Sequence, residues 1–121
     1  PFGPLLILVV LPRLALMGLL GPAALLAGLT SGIVQELLFL PMVFASLEAV
    51  AGRRDLAAVL AALVFGSIHV PMNLAAANGD WLAAAANAVF YQSLVGLIVC
   101  MAYTRHRAAL PIGIAHGLTI A

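Results

Sequence analysis

The sequence predicts an all-α fold, a polytopic transmembrane helix bundle of about four to five membrane segments. Composition is the first reason: 65% of residues are hydrophobic, 7% are charged, and mean hydropathy is +1.22. A soluble domain carries roughly 25% charged residues because its surface must face water. Five cations and four anions cannot solvate a chain of 121 residues. The second reason is pattern. The apolar runs are long and lack the period-two alternation of a membrane barrel strand. In lipid every backbone polar group must be satisfied within the protein, which helices achieve.

Charges, glycines and prolines divide the chain. A first apolar run, Pro4 to Leu20, is interrupted only by Pro12 and Arg13, and Gly21-Pro22 breaks it. Arg13 marks an interface or a break in this reading. A second run, Ala23 to Val50, holds Glu36 in its middle and Glu48 near its end, before the polar loop Gly52-Arg53-Arg54-Asp55. A third helix, about Leu56 to Val70, halts at Pro71, since the residue before a proline disfavours helix. Asn78-Gly79-Asp80 marks a turn, with Trp81 as an interfacial anchor. A fourth helix runs from Leu82 to Tyr103, then the basic loop Thr104 to Arg107, then a final helix near Pro111. Gly28 and Gly32 form a GxxxG, a device for close helix packing. We read residues 1–121 as a single transmembrane helical domain. Pro1 in first place and an end inside an apolar stretch lead us to expect a piece of a longer protein. The opening stretch has no basic leader region, so it is expected to be a membrane segment rather than a signal peptide.

The net charge of +1 provides no basic patch for phosphates, which argues against a nucleic-acid partner. Membrane lipid is the implied surround. All five cations are arginine, a hint of a GC-rich bacterial genome, and the location expected is a bacterial plasma membrane. Positive charge prefers the cytoplasmic side, which places the Arg53-Arg54 and Arg105-Arg107 loops together, two helices apart, with Asp80 opposite. Cys100, the single cysteine, excludes an intrachain disulfide and is expected to be a small buried hydrophobe. No run of polar residues lines a continuous path, which disfavours a transporter or channel.

Ionisable groups inside membrane spans are costly and are functional candidates by default. Glu36, His69 and His116 stand out. Along straight helices Glu36 lies about 25 Å from the Arg53 loop, His69 about 22 Å from Arg54, and His116 about 14 Å from Arg107. A glutamate can activate water with the help of a histidine while a second histidine stabilises an oxyanion. Two histidines and a carboxylate can instead hold a metal, zinc at Glu36, His69 and His116 being the less favoured alternative to a site without cofactor.

Local patterns carry a resemblance. Gln35-Glu36-Leu37-Leu38-Phe39-Leu40 resembles an EExxxR motif, and Phe65-Gly66-Ser67-Ile68-His69 fits FxxxH, followed by Val-Pro-Met-Asn. Leu110 to His116 is similar to the approach to an HxxxN/D motif. In this order on apolar helices, from about residue 32 to 121, they resemble the CPBP family (CAAX protease and bacteriocin-processing, or Abi) of intramembrane endopeptidases. The resemblance implies a membrane-embedded protease acting on a lipidated or small peptide, without a metal cofactor. Glu36, His69, His116 and Gln35 are the catalytic candidates: Glu36 with His69 to activate water, His116 for the oxyanion. Phe39, Phe65 and Asn73 are candidates for substrate contact, though Asn73 also suits a hydrogen bond between helices. Residues four apart share a helix face, so Phe65 can pack beside His69 and shield it.

Three positions depart from the family pattern. Gln35 replaces its first Glu, Leu40 its Arg, and Ile120 its Asn/Asp. Gln35 keeps the shape but cannot accept a proton as a base. Its neighbour Glu36 points about 100° away around the helix. Leu40 removes the most obvious partner of Glu36. These departures support an alternative: a catalytically inactive relative acting as a membrane scaffold or bacteriocin-immunity protein.

Overall fold

The computed structural model describes the backbone of residues 3–120 and the side chains of residues 21–118. Arg13, Ile120 and the side chains of the first apolar run therefore lie outside the described residues. Among those described, every regular element is helical and no strand occurs.

Helix α1 spans Gly3–Leu38 with a kink at Gly21, where φ is 74° and ψ 161°. An L-residue side chain is strained there, so the expected break falls on the residue best able to make it. A π-helical turn, Phe39–Phe44, comes next. Its Pro41 has no N–H to continue the α ladder. Then come α2 (Ala45–Ala51), α3 (Arg54–Ile68) and α4 (Val70–Ala76). The third helix ends two residues earlier than expected, and Pro71 does more than halt it. Proline occupies the first turn of α4, where its missing N–H costs nothing. The predicted turn is present, with Asn78 at φ 51° and Gly79 at φ 87°. Asp80 then caps α5 (Trp81–Ala86) by accepting from the Leu82 and Ala83 N–H groups at 2.9 and 3.0 Å.

A second π turn, Asn87–Gln92, leads into α6 (Ser93–His106), and α7 spans Ala109–Ile120. The Ser93 N–H reaches the Ala88 carbonyl, five residues back, and Ser93 Oγ donates to the same oxygen at 3.0 Å. Two stretches, Gly21–Ala51 and Trp81–His106, are long and apolar enough to cross a membrane. The pair α3 and α4, bent by 41°, makes a third if read as one broken span, and Ala109–Leu118 is a shorter apolar helix.

The described residues form two compact units, one of α1 through Phe39 with α7, the other Leu40–Arg107. In the second, α3 presents Ala57, Ala58, Ala61, Ala62, Phe65 and Gly66 as its buried face. Small side chains let helices approach in lipid, where packing rather than water exclusion drives association. A Cβ on Gly96 would lie 2.9 Å from Phe65 Cβ, so the Phe65 side chain occupies the space that glycine leaves on α6. Cys100 is fully buried on the same helix, as its apolar surroundings imply.

One end of this unit carries the arginines. Glu48 accepts from Arg54 Nε at 2.8 Å and from Arg107 Nη1 and Nη2 at 2.9 and 2.8 Å. Both basic loops therefore meet at one carboxylate, consistent with placing them on one side of the membrane. The hydrogen bond to Glu48 raises the pKa of Arg107 above its ordinary value, and Arg107 also sits 5.5 Å from the Tyr103 ring centre. Asp55 likewise raises Arg53 through a hydrogen bond.

Candidate active site

The first unit is built on glycines. A Cβ on Gly117 would lie 2.7 Å from Gly28 O and from Leu29 Cα, and one on Gly113 would lie 2.8 Å from Ile33 Cα. A Cβ on Gly32 would collide with the Gly117 backbone and sit 2.8 Å from Gly113 O. Residues 113 and 117 thus face residues 32–33 and 28–29, an antiparallel register in which the two backbones touch. Gly113 and Gly117 repeat the GxxxG spacing of Gly28 and Gly32, a signal that the sequence carries and that motif reasoning overlooked.

This seam brings Glu36 and His116 together. Side chains on a helix lean towards its N-terminus, so Glu36 reaches back towards Gly32 and His116 reaches back towards Gly113. In antiparallel helices with those glycines opposed, the two side chains converge. His116 Nδ1 lies 2.6 Å from Glu36 Oε1, with side chains 3% and 0% exposed. At that distance the bond is charge-assisted when the carboxylate is ionised, with Nδ1–H as donor. The other oxygen, Glu36 Oε2, is buried and makes no hydrogen bond among the described residues.

Gln35 takes a different direction. It is half-buried and lines an open groove of about 750 Å³ along α1, with Ala23, Leu26, Ala27, Thr30, Ser31 and Val34. The expected angle between neighbouring helix residues therefore separates the amide from the carboxylate. Phe39, four residues on from Gln35, is buried.

In the second unit, His69 closes α3, its N–H donating to Gly66 O at 3.1 Å. Its Nδ1 lies 2.7 Å from Phe65 O. A carbonyl oxygen only accepts, so Nδ1 carries a hydrogen and donates it. The Phe65 ring stands 4.7 Å from the imidazole at 38°, the shielding contact anticipated from their spacing. Asn73, one turn further on, is 6% exposed, and its N–H donates to His69 O at 2.9 Å. Asn73 Nδ2 is buried without a hydrogen-bond partner among the described residues. His106 is exposed at the end of α6. Among the described residues no group of three or more His, Cys, Asp or Glu side chains gathers in the manner of metal ligands.

Comparison with protein families matches residues 17–120 to the type II CAAX prenyl endopeptidase, Rce1-like, family. Comparisons with curated proteins and with solved structures give no match. The matched range covers both units, including Glu36, His69 and His116. An apolar helical chain with this match over most of its length belongs to the type II CAAX prenyl endopeptidase (Rce1-like) family and is an integral membrane protein.

Proposed function

We propose that this chain is the core of an intramembrane endopeptidase, cleaving near the C-terminus of a lipidated protein or processing a small peptide. The observation that carries the reading is the buried Glu36–His116 pair, one carboxylate oxygen of which has no partner among the described residues. As carboxylate and imidazolium, the pair offers both halves of a hydrolytic reaction. Glu36 Oε2 accepts a proton from water as the water oxygen bonds to the scissile carbonyl carbon. His116 Nε2–H donates to the oxyanion that forms. Collapse of the tetrahedral intermediate breaks the C–N bond, and the proton held on Glu36 passes to the leaving nitrogen. His69, in the other unit, is a catalytic candidate on its motif alone. The setting proposed is a bacterial plasma membrane.

Turnover of a fluorogenic farnesylated CAAX peptide by the purified, folded chain tests this reading. Glu36→Gln, His116→Ala and His69→Ala are each expected to lower the rate at least about 100-fold, within the range general acid–base groups contribute. A folded chain that cleaves neither this peptide nor any leader peptide would sink the proposal. The second reading, an inactive scaffold or immunity protein, draws on Gln35 and on Leu40, which is fully buried where the family motif has arginine. It predicts that the same three substitutions leave the biological phenotype intact.

A further inference from the structure

Buried polar groups mostly have partners, and the exceptions among the described residues are Glu36 Oε2 and Asn73 Nδ2. Ser93 Oγ donates to a carbonyl, His69 Nδ1 to Phe65 O, and the carboxylate of Glu36 meets His116. The Asn73 amide nitrogen, on a residue 6% exposed, has two N–H groups and no acceptor among the described residues. Burying such a donor forfeits its hydration without compensation, and an apolar side chain of the same shape would avoid that cost. Local backbone structure does not require the amide either, because Asn73 N–H and O complete ordinary helical bonds to His69 O and Ala77 N at 2.9 Å each. Phe65 and His69 close α3, and Asn73 follows one turn later in α4, beyond the 41° bend.

We propose that Asn73 Nδ2 is a substrate-facing donor that pairs with a backbone carbonyl oxygen of a bound peptide beside His69. This deepens the peptide-hydrolase reading and rests on it for the class of ligand. The chemistry is complementary: an extended peptide entering the hydrocarbon region brings carbonyls that have lost their water and need donors there. An amide N–H meets that need without introducing a charge. Asn73 is thereby a positioning residue that fixes where the peptide backbone lies.

The test is binding of a fluorescent farnesylated CAAX peptide whose scissile amide is N-methylated, which keeps every carbonyl and slows cleavage. Binding to the intact chain in detergent or nanodiscs is compared with Asn73→Leu, Asn73→Asp and Asn73→Gln, alongside their melting temperatures. Asn73→Leu and Asn73→Asp are expected to weaken binding about tenfold or more, the scale of one lost hydrogen bond. Asn73→Gln, which keeps the NH₂ group, recovers part of it. The Tm of Asn73→Leu stays at or above the wild-type value, since the protein loses no bond. Unchanged binding in Asn73→Leu overturns the assignment, as does a loss of binding that only tracks a fall in Tm. A wild-type chain that binds through Asn73 but cleaves nothing refutes the hydrolase reading alone. One that binds no peptide refutes both.

Discussion

Adding a single methyl group at Gly32 should separate α1 from α7 and break the Glu36–His116 pair. The Cβ of Gly32→Ala would lie 2.8 Å from Gly113 O and closer still to Gly117 N and Cα, whereas ordinary contact begins at 3.4 Å. All three atoms are backbone, so no side chain can swing aside, and the helices must part by about 1 Å. Glu36 lies one turn along α1 from the obstruction. Its 2.6 Å bond to His116 Nδ1 would lengthen to around 3.5 Å, beyond a useful hydrogen bond. Overpacking costs about 1–3 kcal/mol, and loss of a buried charge-assisted bond adds about 1.5–3 kcal/mol. We expect a large fall in thermal stability in detergent and loss of peptide cleavage in Gly32→Ala. Leu38→Ala, on an exposed side chain of the same helix outside the groove lining, changes neither. A Gly32→Ala chain with wild-type Tm and turnover would refute the claim that backbone contact at this seam sets the pair.

Gly66→Ala should destabilise the second unit by roughly 1–3 kcal/mol, because its Cβ would meet both Ser93 Oγ and the Ala88 carbonyl. Melting curves of Gly66→Ala with Ser93→Ala should show only partial rescue, since the hydroxyl can be removed and the backbone oxygen cannot. Glu48→Gln should lower Tm in low salt by releasing Arg54 and Arg107. The difference should shrink in high salt, because the Glu48 and Arg107 side chains are 20% and 42% exposed and the ion pair is open to screening. Arg107 stays charged across any usable pH, the bond to Glu48 raising its pKa above the ordinary value. Stoichiometric zinc in purified protein, lost in His69→Ala, would establish the metal alternative. Activity that survives a strong chelator is the outcome the Glu36–His116 chemistry predicts.

Much of the fold was legible because its punctuation is chemical. Gly21, Gly52 and the Asn78-Gly79-Asp80 turn adopt the backbone conformations that their residue types permit. The Gly28/Gly32 pair also announced close packing, although the spacing alone does not say that glycines 113 and 117 lie opposite. The two π turns were hidden for a different reason. In the second, the defining bond runs from Ser93 N–H to Ala88 O, and the sequence around it reads as an unbroken apolar helix. Pro71 shows that proline signals a boundary without specifying the next element, for it both ends α3 and sits in the first turn of α4. The depth of buried groups was equally hard to infer. Counting rise from the nearest arginine loop placed Glu36 about 25 Å away and His116 about 14 Å away, on the assumption of straight spans. Their meeting depends on helix register, which no distance along the chain records.

The altered motif takes a different meaning from that register. By sequence alone, Leu40 strips Glu36 of its partner. In the structure Leu40 is fully buried, and Glu36 is partnered by His116, 80 residues away. A buried carboxylate needs a counter-group, and removing one member of such a pair costs about 3–5 kcal/mol. The histidine supplies that counter-group, so an apolar residue at position 40 does not leave the acid unsupported. Gln35 is the more consequential change. It faces the groove rather than α7, and an amide there can hold a substrate but cannot take its proton. Proton transfer has therefore moved to Glu36, on the α7 side of the helix, or is absent. The two cases separate in the comparison of Gln35→Glu with Glu36→Gln. If Glu36 is the base, Glu36→Gln abolishes cleavage and Gln35→Glu adds little. If the chain is inactive through loss of its first carboxylate, Gln35→Glu creates activity where the natural sequence has none.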